Sequence, residues 1–156
     1  MPHDPASTSQ SPRRLPPLLR RAWYSLNQTF RQRIAHLDIT PDQYSILRWL
    51  DEGDPRGLTQ QTITDLMASD PNTITSTLQR MEKAGLITRN AHESDRRARR
   101  VRIDEGGRRS FAAAFVIANA LQDQIIQIVP ESRRVRFLQD LERIADACSD
   151  AGQGLG

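Results

Sequence analysis

Lysine is nearly absent from this sequence. Lys83 stands alone among 22 basic residues in a chain of 156, so the positive charge is almost all arginine, whose planar fork fits phosphates and guanine edges better than an ammonium does. Cysteine is as scarce. Cys148 is the one thiol, which excludes an internal disulfide and a cysteine zinc cluster and fits a reducing compartment. The histidines are His3, His36 and His92, scattered without ligand spacing or a paired nucleophile motif. No metal site, no cofactor and no catalytic residue is therefore expected, and the chain does not read as an enzyme. Gly106-Gly107 lacks the lysine and spacing of a phosphate loop. No apolar run approaches the ~20 residues that span a bilayer. The N-terminus shows no apolar signal core, so neither membrane insertion nor export is expected.

What is present concentrates between Ser69 and Ile103. Ser69 or Asp70 can cap a helix that Pro71 opens, since a first-turn proline forfeits no hydrogen bond. Ile74, Leu78 and Met81 recur at helical spacing, and Gly85 supplies the stop. The opposite face carries Asn72, Thr73, Ser76 and Arg80, flanked by Thr75 and Gln79. Taken alone, that face reads equally well as solvated surface or as a set of donors and acceptors for base edges. The next segment decides between them. Leu86-Ile87-Thr88 and Val101-Arg102-Ile103 predict a two-strand ribbon around a polar loop, 90–98. Arg96, Arg97, Arg99, Arg100 and Arg102 crowd its tip and return strand, and such a cluster repels itself unless an anion lies between its members. A short polar-faced helix followed by a basic hairpin is the layout of a winged helix-turn-helix. The helix would enter a major groove, and the hairpin would reach the neighbouring minor groove.

The remainder predicts helices around this device. Residues 1–14, rich in Pro and Ser, read as a disordered arm. Leu18–Leu37 predicts a first helix with Leu19, Trp23, Leu26, Phe30 and Leu37 on its apolar face. Thr40-Pro41-Asp42-Gln43 is a strong helix start, with Tyr44, Leu47 and Leu50 facing a core and Trp49 off that stripe. Leu58-Thr59 opens the next helix, capped by Thr59, and its start, Thr59-Gln60-Gln61, can offer N–H groups to a phosphate. A long helix follows the ribbon and stops at Pro130, then a last helix carries Val135, Leu138, Leu141 and Ile144. Residues 149–156 read as a flexible tail. The expected fold is mainly α with a small β-wing: one domain over 15–148, with a DNA-binding lobe at about 40–104 and dimerisation helices at about 18–37 and 105–148. The formal charge of +3 and pI near 9.7 agree with a nucleic-acid partner, although the clustering of charge argues more strongly than the total.

Leu58-Thr-Gln-Gln61, Asn72-Thr-Ile-Thr75, Arg80-Met-Glu-Lys-Ala-Gly-Leu-Ile87 and Asp95-Arg-Arg-Ala-Arg-Arg-Val-Arg-Ile103 together resemble the MarR family of bacterial transcription regulators. The resemblance covers about Leu18 to Ala147. Its most specific part is the wing pattern in which Asp95 would brace the hairpin and Arg97 would enter the minor groove. One departure is Asp104, where the family usually has Thr; Asp is an equally good N-cap. The resemblance implies a homodimeric, cytoplasmic repressor on double-stranded DNA with a near-palindromic operator. Thr73, Thr75, Ser76 and Arg80 would meet bases or phosphates, and Arg96, Arg97 and Arg99 the minor groove and backbone. It further implies release by a small aromatic or anionic effector, with Trp23, His36 and Trp49 as the candidate contacts. Trp23 also reads as core or dimer packing. Some relatives sense oxidants through a cysteine near the first helix, which this chain lacks. The rival reading is a winged-helix protein-interaction module whose basic wing meets an acidic protein surface.

Overall fold

Pro16 and Pro17 fall in the first turn of α1 (Leu15–Ile34), where the missing N–H costs nothing. A single 3-10 turn, Ala35–Leu37, ends that segment. In this computed structural model residues 12–91, 93–95 and 98–154 are described. Helix α2 (Pro41–Glu52) opens with the capping box its sequence predicts. The Gln43 N–H donates to Thr40 Oγ1 at 3.2 Å, and the Thr40 N–H donates to Gln43 Oε1 at 3.0 Å. Then follow strand β1 (Leu58–Thr59), α3 (Gln60–Met67), α4 (Pro71–Lys83), β2 (Ile87–Ala91), β3 (Arg99–Ile103), α5 (Glu105–Ile126) and α6 (Glu131–Gln153).

The strands form one antiparallel sheet in the order β1-β3-β2. Arg89 lies opposite Val101, and Val101 lies opposite Leu58, so one cross-strand row runs through all three strands. The chain divides into two compact units, one up to Phe111 and one from Ala112. In the first, Ile34, Ile46, Leu47, Ile63, Leu78, Met81, Ile87 and Val101 are almost wholly buried. Tyr44 joins this core through its ring, edge-on to Phe30 at 5.0 Å and stacked on Phe111 at 5.6 Å. In the second unit Ala114 and Leu121 are buried, and α6 has no buried residue.

Several expectations shift. The first helix begins three residues earlier than Leu18 and gives way to the 3-10 turn after Ile34. The expected two-strand ribbon has a third strand, because Leu58-Thr59 pairs with Val101 and Arg100 before Thr59 caps α3. Gly57 makes that pairing possible: it sits at φ +99°, and a Cβ there would strike the Val101 carbonyl oxygen. Helix α5 stops at Ile126, ahead of Pro130, and α6 continues through Gln153. Residues 149–153, expected as tail, are therefore the last turns of a helix. The expected N-terminal arm lies, up to residue 11, outside the described residues. No single helix among the described residues is long and apolar enough to cross a membrane.

Candidate nucleic-acid interface

The turn between α3 and α4 is held by backbone bonds. Ala68 adopts φ +48°, its N–H reaches the Asp65 carbonyl at 3.1 Å, and the Ser69 N–H reaches that of Thr64 at 3.4 Å. Asp70, not Ser69, is the cap of α4: its Oδ1 accepts the Thr73 N–H at 2.9 Å, and its Oδ2 accepts the Thr73 hydroxyl. These bonds to Thr73 hold the Asp70 carboxyl below the usual carboxylate range. Ile74, Leu78 and Met81 are buried as the stripe predicts, and Thr77 is buried beside them. Asn72, Ser76, Gln79 and Arg80 are exposed and Thr75 is half-buried, so the polar face of α4 is open. The helix ends where the sequence indicates, with the Gly85 N–H on the Glu82 carbonyl at 3.0 Å and Gly85 at φ +74°.

The start of α3, the start of α4 and the return strand of the wing enclose a cleft of about 320 Å³. Thr59, Gln60, Gln61, Thr64, Pro71, Thr75, Ala98 and Arg99 line it. Five candidates from the sequence thus meet around one opening: Thr59, Gln60, Gln61, Thr75 and Arg99. Thr59 and Gln60 have work inside the protein as well. Thr59 Oγ1 accepts the Thr62 N–H at 3.1 Å, and Gln60 Oε1 accepts from Arg89 at 3.2 Å. Gln61 was read from the sequence with Thr59 and Gln60, while Thr64 was not singled out. Thr64 lies one turn beyond Gln60 on α3, buried, with its hydroxyl donating to the Gln60 carbonyl at 2.8 Å.

The wing separates arginines that the sequence grouped together. Arg100 pairs with Glu93 at 2.8 Å and donates to the Gly57 carbonyl at 3.0 Å. Arg102 donates to the Arg56 carbonyl at 2.8 Å. These two therefore tie β3 to the loop before β1 through internal acceptors, rather than leaving their charge for an outside anion. Arg99 is exposed. Arg96 and Arg97, with His92, lie outside the described residues. At the wing tip the Ala98 N–H closes a turn on the Asp95 carbonyl at 3.1 Å. Asp104, the departure from the family pattern, accepts the Thr88 hydroxyl at 2.6 Å and so joins the base of the wing to the start of α5.

Trp23 on α1, His36 in the 3-10 turn and Trp49 on α2 are all exposed, Trp23 to 64%. None of the three lines the cleft at the wing. The packing reading of Trp23 has no support from burial within this chain.

The MarR family profile matches residues 39–98. The transcriptional regulator HosA of Escherichia coli O111:H- is 27% identical over 135 residues, covering 83% of this chain and 98% of that protein. Residues 39–98 are therefore similar to the MarR family, and the chain is similar to a regulator over most of its length. Among solved structures, the Staphylococcus aureus MepR–DNA complex superposes with a TM-score of 0.81 at 21% identity, covering 86% of this chain and 98% of MepR. The transcriptional repressor CouR, bound to a 23-mer DNA duplex, gives 0.74 at 27% identity, covering 82% of this chain and 89% of CouR. CouR from Rhodococcus jostii RHA1 bound to p-coumaroyl-CoA gives 0.73 at 24% identity, with the same coverage. The proteins this chain is similar to are thus transcriptional regulators, and two of these solved neighbours hold DNA. The profile match spans α2 through the wing tip, the segment that builds the cleft and the open face of α4.

Proposed function

We propose that this chain is a DNA-binding transcriptional regulator of the MarR type, working as a homodimeric repressor in the bacterial cytoplasm on a near-palindromic operator. Two α4 helices would enter successive major grooves, roughly 34 Å apart. Asn72, Thr75, Ser76 and Arg80 would face base edges, with Thr73 held back by its bond to Asp70. Thr59 and Gln60, at the start of α3, would offer N–H groups to a phosphate. Arg96, Arg97 and Arg99 would serve the minor groove and backbone, with Asp95 bracing the tip. The observation that carries this reading is the open polar face of α4 beside the exposed Arg99 across one cleft. The second copy is supported by the apolar surface that α6 leaves in water, Val135, Phe137, Leu138 and Leu141 among it.

Release by an aromatic or anionic small molecule is supported by the exposed Trp23, His36 and Trp49 and by the CouR complex with p-coumaroyl-CoA. Such an effector need only prefer a conformation in which the two α4 helices are badly spaced. Selection of bound duplexes from a random pool tests the central claim. The expected product is an inverted repeat whose affinity falls log-linearly with salt. A pool that yields no enriched motif would favour the protein-interaction reading.

A further inference from the structure

Among the described residues of the wing, Arg89 is as little available to an outside anion as Arg100. The Arg89 side chain is 14% exposed. Its Nη2 donates to Glu82 Oε1 at 3.2 Å and its Nε to Glu82 Oε2 at 3.4 Å, while its own backbone N–H donates to Glu82 Oε2 at 3.0 Å. Its Nη1 turns the other way, to Gln60 Oε1 at 3.2 Å. One guanidinium thus gathers the last turn of α4, strand β2 and the first turn of α3. The fork geometry makes this possible, because an ammonium cannot hold a carboxylate and a distant amide in one plane.

The wing needs such a fastening. Only Ala84, Gly85 and Leu86 separate α4 from β2, and Gly85 leaves that joint conformationally permissive. Burial along β2 falls from full at Ile87 to none at Asn90 and Ala91. Apolar packing therefore fixes the root of the strand and not its outer half. The Glu82 carboxyl lies below its usual range, mainly because the Arg89 guanidinium hydrogen-bonds it.

We propose that Arg89 is a positioning residue for operator binding: held between Glu82 and Gln60, it fixes the direction of the wing relative to α4 and keeps the Gln60 amide turned to the protein. This rests on the reading that the wing meets a minor groove. Arg89 then touches no DNA, and Glu82, a carboxylate beside a DNA-binding surface, is retained because the fastening outweighs its repulsion of phosphate.

The two effects of Glu82 have opposite sign, which makes the test sharp. In the full chain on its selected operator, Glu82→Gln is expected to weaken binding about tenfold although it removes a negative charge. Arg89→Gln should weaken it at least as much, and the double variant no further than Arg89→Gln alone. Arg89→Lys keeps the charge without the fork, so it too should bind more weakly. At saturating protein, hydroxyl-radical protection in the flanking minor grooves should fade in the variants, while guanine N7 protection in the major groove persists. Global destabilisation would not separate the two grooves. Glu82→Gln binding as tightly as wild type or tighter, or Arg89→Lys binding as wild type, overturns the proposal. Wild type without minor-groove protection overturns the wing reading and this inference together. Protection that stays intact in every variant overturns the inference alone.

Discussion

The two units of this chain solve burial differently. Up to Phe111, helices and sheet close over a core in which Ile46, Leu47, Ile63, Leu78, Met81 and Val101 have 0% exposure. From Ala112 onward, Ala114 and Leu121 are buried while Val116, Ile128 and Val135 stand 69%, 89% and 70% exposed. Large apolar side chains left in water are a cost that one chain does not remove. The difference teaches that the winged lobe closes its own core, whereas the C-terminal helices leave large apolar side chains exposed, which is why a second copy is proposed for them.

If the lobe is self-sufficient, its core should respond as an ordinary packed interior. Leu78 is wholly buried on α4, so Leu78→Ala should cost about 2–5 kcal/mol of stability. Denaturant unfolding measures this. A loss under about 1 kcal/mol would mean that the core under α4 is loosely packed. The matching change in the second unit is Leu138→Asp. On a finished monomer, a substitution at a half-exposed site shifts stability by about 0.5 kcal/mol or less. On a dimer interface it should cost about 2 kcal/mol or more of association and lower operator affinity with it. Sedimentation at several concentrations distinguishes these. An unchanged self-association would place the dimer face elsewhere.

A smaller effect divides the wing itself. Arg99→Ala should weaken operator binding by about 1–3 kcal/mol and flatten its salt dependence, as loss of a phosphate or base contact does. Arg102→Ala removes the same charge from the same strand but breaks a bond to the Arg56 carbonyl. It should lower thermal stability while leaving most of the salt slope in place. Equal salt slopes for the two variants would erase the distinction between the outward and the inward arginine.

The capped starts of α2 and α4 were legible in the sequence because each is a local event, unlike the uncapped start of α1. Thr40-Pro41-Gln43 forms its capping box from residues three apart, and Asp70-Pro71 acts in the same way at α4. The polar face of α4 could be read from spacing alone. Strand β1 could not, because two residues carry no period and its partner lies more than forty positions away. The fates of Arg100 and Arg102 were hidden for a related reason. Their acceptors include the backbone carbonyls of Gly57 and Arg56, which residue type does not mark. A run of arginines reveals charge but not direction. Arg89 and Glu82 are seven apart across a glycine turn, a separation that becomes contact only once the register of the ribbon is set.

Among the described residues of the lobe, a buried side-chain atom lacks a partner, and it yields the smallest prediction. The Tyr44 hydroxyl is buried without a hydrogen-bond partner among the described residues. Burial raises its pKa, and the Arg48 charge offsets part of that. An unmet buried hydroxyl carries a desolvation cost that a phenyl ring does not. The ring itself matters, since it bridges Phe30 and Phe111. Tyr44→Phe keeps both ring contacts and removes only the oxygen, so stability should stay level or rise by less than about 1 kcal/mol. Thermal unfolding of the two proteins at equal concentration decides this. A drop of about 1 kcal/mol or more would mean that the hydroxyl is bonded in solution, to Arg48 or to a water, and that the core of the lobe is complete after all.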